Sequence, residues 1–282
     1  MKRIASVQDL SCVGKCSLSI ALPLLSAMGI ECVALPTAVL SAHTAFESFI
    51  SCDLTDQIKP IAAHWKQLGL TFDALYTGYL ASEKQVALVI DILDAFRTGL
   101  VFVDPAMADH GRLYTGFDAN FPEHMRKLCS RADIITPNIT EACLLTGTAY
   151  RDQHDEHYVR LLLERLLSLG TKTAILTGIR YTSDAMSVAS LDSAGTLFTY
   201  RSDYVPAVFH GTGDLFASTC VGALTLGHCI ADAVRLATDY VVKTIHATLL
   251  NPEARWYGVD FETTIPDLLT MLKQLSIQEE PK

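Results

Sequence analysis

The chain holds no apolar run approaching the roughly 18 residues that a membrane-spanning helix needs, although 50% of its 282 residues are hydrophobic. Apolar content without a span is the composition of a large buried core. A secretory leader is not expected, because Gln8 and Asp9 interrupt the opening apolar residues. Basic runs interleaved with aromatics are also missing, and 31 acidic residues face 22 basic ones for a net charge of −9. That balance argues against nucleic acid as a main partner. It leaves a phosphorylated ligand open, since backbone amides at a helix N-terminus hold phosphate without any formal charge. None of the eight cysteines forms a CxxC pair. Several stand in apolar patterns such as STCVGAL, so buried small hydrophobes in a reduced cytoplasm are expected rather than disulfides or zinc ligands. The Walker pattern Gly-x-x-x-x-Gly-Lys-Ser/Thr does not occur, and neither do internal repeats, low-complexity tracts or an interdomain linker.

What is present alternates. β-rich runs (RIASVQ, ECVALPT, FDALYTG, LVFVDPA, ADIITPN, TKTAILTG) are separated by amphipathic stretches. These stretches are SLSIALPLLSAM, TDQIKPIAAHWKQL, SEKQVALVIDILDAF, EHYVRLLLERLLSL, GDLFASTCVGALTLG, CIADAVRLATDYVVKTIHATLL and DLLTMLKQL. Such alternation predicts an α/β fold over residues 1–282: one mostly parallel sheet with helices on both faces. The segment AMSVASLDSAGTLFTYRS differs, with two β runs flanking Asp192-Ser193-Ala194-Gly195, and predicts an antiparallel hairpin. Ligands of open parallel sheets bind at the C-terminal strand edge. Asp9, Tyr79, Asp104 and Asn138 each follow a predicted strand, which places them at one such edge, although loops collect polar residues for solubility as well.

The stretch HGTGDLFAST, His210 to Thr219, puts two glycines and an acid at the head of an apolar helix. Gly211 and Gly213 permit positive φ and close approach of a ligand to the backbone. A helix starting there leaves its first N–H groups free to bind an anion. Asp214 in that first turn is either a favourable dipole partner and nothing more, or a base within reach of the same anion. The second arrangement suits phosphoryl transfer, which relies on positioning and electrostatics.

GTGDLFAS resembles the anion-hole and base signature of the ribokinase-like superfamily, and the chain is similar to its pyridoxal kinase (vitamin B6 kinase) branch. SVQDLSCVG, LSAHTAF, YTGYL, VDPAMAD and ITPNITEACLLTG carry the same resemblance, in family order and across nearly the whole chain. The resemblance implies a three-layer α/β/α sandwich with Asp214 as catalytic base and the amides of Gly211, Thr212 and Gly213 as anion hole. By the same likeness Asp9, His43, Thr44 and Tyr79 line the vitamer pocket. Asp104, Asn138 and Thr177 join Gly211 and Gly213 on the nucleotide side, and Asp109 and Glu141 serve the metal. ATP and Mg2+ are implied, with room for a monovalent cation such as K+, and so is a homodimer. Each residue also has a plain reading: His43 as a loop histidine, Tyr79 as a core aromatic, Asp9 as a turn cap facing solvent, Glu141 as the start of a helix capped by Thr140.

Departures from the family pattern matter. Asp9 stands where a small hydroxyl residue touching the pyridine ring is usual, so an acid here would favour a protonated ring or an amine. Ala108 replaces a glycine of the acidic motif, and Gly178 follows Thr177 where a hydroxyl is common. Residues 105–120 lack the lid cysteine of some relatives. The neighbouring reading is hydroxymethylpyrimidine kinase, whose glycine-rich opening is missing; a sugar kinase is disfavoured because no early Gly-Gly-x-x-x-Asn pattern appears in the chain. A silent vitamer- or nucleotide-binding protein is the alternative from another class. Residues 244–249 are candidates for contacting adenine, with ordinary helix packing an equal alternative, and His210 has no assigned role.

Overall fold

The computed structural model describes residues 1–96 and 99–275. Its main sheet is built from β1 (Arg3–Ser11), β2 (Glu31–Leu40), β3 (Ser51–Asp53), β4 (Ala74–Thr77), β5 (Leu100–Val103), β8 (Ile134–Ile135), β9 (Thr173–Ile179), β10 (Ala185–Asp192) and β11 (Leu197–Asp203). The strand order is β11-β10-β9-β8-β5-β4-β1-β2-β3. The six strands from β9 to β2 run parallel. The expected hairpin forms as β10 and β11, with Ala185 opposite Asp203 and Leu191 opposite Leu197. A separate small hairpin joins β6 (Ala108–Asp109) to β7 (Arg112–Leu113).

Parallel strands covered on both faces read as continuous apolar runs, and every residue of β4 is buried. One face carries Ile4, Ala74, Tyr76, Phe102, Ile134 and Ile175. Against it pack α1 (Leu18–Ala27), α7 (Thr212–Thr225), α8 (Ile230–Leu250) and α9 (Phe261–Gln274). The opposite face carries Val7, Leu75, Val101, Val103 and Leu176. It is covered by α2 (Thr55–Gln67), α3 (Glu83–Phe96), α4 (Phe121–Cys129), α5 (Ile139–Thr146) and α6 (Glu156–Leu167). The result is the three-layer sandwich. Among the described residues no helix is long and apolar enough to cross a membrane, and all eight cysteines are free.

Strand β1 lies between β2 and β4. The chain goes to one side of it first and then crosses to the other, which makes the β1/β4 boundary the topological switch point where α/β sheets bind ligands. Several boundaries depart from the sequence expectation. β1 continues to Ser11, so Asp9 lies inside the strand rather than after it. α5 starts at Ile139 and is capped by Asn138, not Thr140. α9 starts at Phe261 and runs through Pro266, which had hidden its first turn. β3, α4 and the small hairpin were not expected; all are short, and α4 opens on Phe121-Pro122, which reads as a turn.

Candidate active site

Gly211 is the residue on which α7 starts, at φ 81° with no side chain capping the helix. A Cβ there would stand 1.9 Å from the Lys15 carbonyl oxygen, so both the backbone conformation and the space require glycine. Gly213 is exposed, with open space around its Cα. The first amides of α7 are thus presented at an open helix N-terminus, where the dipole favours an anion. Asp214 sits in the same turn. Burial pushes its carboxyl up to about 7; the Ser17 backbone N–H donates to it and pulls the other way, and the nearby Asp9 charge adds to the rise.

Asp9 is 4% exposed, which rules out the solvent-facing turn cap. Burial raises its proton affinity against hydrogen bonds from Ser17 and Ser11, the Ser11 hydroxyl donating to Oδ2 at 3.3 Å. Ser17 holds φ 49°, ψ −130° at the N-cap of α1 while nearly fully buried. For a residue with a Cβ that conformation costs about 1–3 kcal/mol. Asp104 is also buried, and burial, then Glu141, then Asp214 drive its proton affinity well up. Tyr76, fully buried in β4, accepts a hydrogen bond from Ser218 at 3.4 Å and faces both Asp104 and Asp214.

Asn138 and Glu141 form a reciprocal cap on α5: Glu141 N–H donates to Asn138 Oδ1, and Asn138 N–H to Glu141 Oε2, both at 2.9 Å. Met107 N–H donates to Glu141 Oε1 at 3.0 Å, tying the acidic loop to the helix. The Asn138 side-chain amide donates to the Ala108 carbonyl at 2.8 Å, and Asn138 pairs with Thr177 as an isolated bridge between parallel segments. Burial pushes Glu141 up to about 8 despite those donors, with the Asp109 charge adding to it. Asp109 itself lies exposed on the β6–β7 hairpin, accepting the His110 N–H at 2.8 Å.

Among the described residues, none of Asp9, Asp104, Glu141 and Asp214 takes part in an ion pair. Buried acids without a positive partner bind protons more tightly than usual and ionise more readily beside a cation. The carboxylate oxygens of Asp104 and Glu141 therefore fit a hard divalent ion that keeps part of its water shell.

His43 is buried with both ring nitrogens used. Nδ1 accepts from Ala45 N–H and Nε2 donates to the Tyr257 carbonyl, each at 3.1 Å. Burial and the adjacent His210 lower its proton affinity, so it stays neutral and offers a pocket its ring rather than a donor. The His210 ring lies 4.9 Å from that of His43, and Phe46, Trp256 and Tyr257 complete an aromatic cluster. Beside it opens a groove of about 420 Å³ between residues 45–48 and Trp256. Tyr79 is partly buried, faces Asp9 and packs on Phe117 at 5.5 Å. Thr44 is exposed. The structure thus gathers Asp9, Tyr79, Asp104, Asn138, Glu141, Thr177 and Gly211–Asp214 at one sheet edge, with His43 beside them and Thr44 and Asp109 on the outside.

No local pattern singles out Lys15. Its Nζ is 2.8 Å from Asp260 Oδ1 and 3.0 Å from Glu262 Oε2, with the Lys15 and Asp260 side chains 13% and 10% exposed. Burial disfavours the charged ammonium, but the two carboxylates outweigh it and raise its pKa overall. Burial likewise opposes the Asp260 anion, yet Lys15 and Asn251 hold its pKa below the ordinary carboxylate value. The pair is thereby intact at neutral pH: the Asp260 contribution fades only as pH falls through its lowered pKa, and the Lys15 contribution only as pH rises through its raised one. Ser17, Tyr257 and Asp260 were also missed, because a positive-φ serine and a partner some 240 residues away leave no local pattern.

A protein-family model described as Phosphomethylpyrimidine kinase matches residues 25–255. The pyridoxal kinase of Bos taurus is 30% identical over 247 residues, covering 80% of this chain and 77% of that protein. A structure from Bacteroides thetaiotaomicron, described as a candidate phosphomethylpyrimidine kinase in a form with pyridoxal, superposes with TM-score 0.91 at 36% identity, covering 99% of this chain and 97% of that one. Pyridoxal kinase from Lactobacillus plantarum superposes with TM-score 0.89 at 32% identity over 96% and 98% of the two chains.

Removing Lys15 strands a buried carboxylate. Lys15→Met is expected to lower stability by about 3–5 kcal/mol in urea denaturation, with part of the loss recovered by adding Asp260→Asn. A Lys15→Met protein as stable as wild type would remove the clamp from the account.

Proposed function

The chain belongs to the phosphomethylpyrimidine kinase family, pyridoxal kinases among its relatives, and from that membership we propose that it moves the terminal phosphoryl group of ATP to the 5′-hydroxymethyl group of a vitamin B6 vitamer. The observation that carries the reading is the pairing of an open helix N-terminus at Gly211 with the half-buried carboxylate of Asp214 in its first turn. Asp214 accepts the proton of the vitamer hydroxyl as that oxygen bonds to the γ-phosphorus and the bond to the leaving ADP oxygen breaks. The amides of Gly211, Thr212 and Gly213 hold the negative charge on the transferring group. Asp104, Asn138, Glu141 and Thr177 form the nucleotide side. Asp104 and Glu141, with Asp109 nearby, would hold Mg2+, which would supply charge neutralisation of the phosphates, and K+ would be an additional cation.

On the vitamer side stand Asp9, Tyr79 and the ring of His43, with Thr44 at the rim. A buried acid of raised proton affinity at Asp9 suits a protonated pyridine or an amine. The matching family model carries the name of the pyrimidine enzyme, which keeps hydroxymethylpyrimidine in view as a second acceptor. Free thiols throughout fit a cytoplasmic setting. We read the whole chain as one kinase unit that pairs with a second copy: Phe49 and Ile50, just before β3 at the sheet edge, are 41% and 80% exposed.

Asp214→Ala is expected to lower kcat for pyridoxal by roughly a hundredfold or more. Wild-type kcat/KM should climb as pH rises through about 7, because the base must be unprotonated to accept a proton. Near-normal turnover by the variant would end the base assignment.

Rates on pyridoxal, pyridoxine, pyridoxamine and hydroxymethylpyrimidine, compared between wild type and Asp9→Ser, test the vitamer side. The variant should lose most on pyridoxamine, and an unchanged ranking refutes the role given to Asp9.

Light scattering after gel filtration should return twice the chain mass for wild type and a monomer for Ile50→Lys. A monomeric wild type at micromolar concentration rules out the pairing.

A further inference from the structure

Strand β9 outruns its parallel neighbour. β8 ends at Ile135, and after Thr177 donates its N–H to the Pro137 carbonyl at 3.0 Å the neighbouring chain enters α5 at Ile139. At the same point β9 carries one extra residue against β10. Leu176 pairs with Ala189 and Ile179 with Ser187, and Gly178 in the gap holds φ 74°. A bulge of this glycine type bends its strand and re-aims the residue beside it, here Thr177. Arg180 follows the bulge, and its backbone groups meet His154 of the segment after α5 instead of a strand. His154 N–H donates to the Arg180 carbonyl at 3.3 Å, and Arg180 N–H donates to His154 Nδ1 at 2.9 Å. Because Nδ1 accepts, Nε2 carries the ring proton, and it donates to the Arg151 carbonyl at 2.9 Å.

His154 is 8% exposed, and its ring lies on that of Tyr158 in α6, with centroids 5.8 Å and planes 14° apart. The Tyr158 hydroxyl donates to the Ala149 carbonyl at 2.8 Å, and the Arg151 guanidinium sits 4.8 Å over the same ring. One tyrosine thus holds residues 149–154 as a strap. The other end of the strap meets the β6–β7 hairpin, where a Cβ on Gly111 would stand 3.2 Å from the Tyr150 ring. Gly111 N–H also donates to Thr140 Oγ1 at 2.9 Å, and a cavity of about 270 Å³ opens among these groups. The tip of the hairpin that carries Asp109 therefore rests on discrete contacts rather than on close-packed core. The strap touches both loops that frame the nucleotide side: that of Asp109 through Tyr150, and that of Thr177 through His154.

We propose that His154 is a positioning residue for the nucleotide: its ring and its N–H stand in for the missing strand beside Arg180, fix the bulge at Gly178 and so aim Thr177 at the phosphates, while Tyr150 on the same strap sets the hairpin. The proposal rests on the nucleotide side assigned above to Thr177 and Asp109. Leucine in place of His154 fills the space but leaves the Arg180 N–H without its acceptor, which frees the bulge. Asparagine puts an oxygen near the place of Nδ1 and keeps that acceptor. Among the described residues, Asp9, His43 and Tyr79 on the vitamer side share none of these contacts, so the disturbance falls on one substrate.

His154→Leu should raise KM for ATP roughly five- to twentyfold and leave KM for pyridoxal within about twofold of wild type. His154→Asn should recover most of the KM for ATP, a rescue that bulk alone does not provide. Tyr150→Ala should raise the same KM, and with His154→Leu in one chain the two increases should fall short of their product, because both loosen one strap. Where His154→Leu folds poorly, the other two variants carry the test, with Tyr150→Ala raised for ATP alone and His154→Asn near wild type. A folded His154→Leu or Tyr150→Ala enzyme with wild-type KM for ATP overturns the proposal. So does an equal rise for both substrates, which marks general loosening, or an asparagine variant no better than the leucine one. A wild-type chain without ATP-dependent phosphorylation of pyridoxal overturns the kinase assignment itself, whereas wild-type turnover beside an unmoved KM in the variants overturns the strap alone.

Discussion

The contact between the Lys15 carbonyl and the Cα of Gly211 sets the geometry of everything around the helix N-terminus. No side chain fits between them, so the loop from Gly14 to Ser17 and the start of α7 are held at backbone distance. On one side of that contact the Lys15 ammonium runs into the C-terminal segment and meets Asp260, and its methylenes lie against Gly258. On the other, Gly14 lies against the His43 ring. Three close approaches, each at a glycine, hold one short loop against the segment after β2, the start of α7 and the segment leading into α9. A buried ion pair is weak evidence for stability in general. Here it serves register, because Lys15 joins segments whose relative placement decides where the amides of α7 point.

That placement brings four carboxylates to one edge of the sheet without an ion-pair partner. Desolvation is the leading reason that each of them binds protons too tightly. A resting site of this kind is electrostatically unfinished. Glu141 is partly compensated by three backbone amides, Asp9 by two hydroxyls and its own amide, Asp214 by two amides, and Asp104 by no donor among the described residues. The value of about 7 at Asp214, the group assigned to take a proton, is where a base works best near neutral pH.

The layered fold was legible because parallel strands buried on both faces and amphipathic helices alternate in plain periodicity, and the β10–β11 turn announced itself at Asp192 and Gly195. What failed was local and short. β3 has three exposed residues and no pattern to read. Pro122 and Pro266 disguised helices that tertiary packing supports nonetheless. For the site, the glycine turn, Asp9, Asn138 and Glu141 stood out as motifs, and the structure sets them together. Lys15 falls between the SVQDLSCVG motif and the first predicted helix, which Ser17 opens, and no local pattern marks either residue. Their roles arise from partners in α7 and around Asp260, and from a backbone angle that sequence does not display. The SAHT motif marks His43 as a pocket residue, but its two nitrogens are spent on backbone groups that lie far from it in sequence or arise from a local turn.

The switch point between β1 and β4 has a further consequence. Asp9 comes from the first strand, Asp214 from the seventh helix, and the clamp on Lys15 from the approach to the last helix. No contiguous fragment holds the complete arrangement, so a nascent or partly folded chain has nothing with which to engage a nucleotide or an alcohol. Ligand binding is consequently linked to the finished molecule alone, and any ligand present shifts the folding equilibrium as a whole rather than rescuing one half. In a cell, substrate supply would then act on the lifetime of the protein as well as on its turnover.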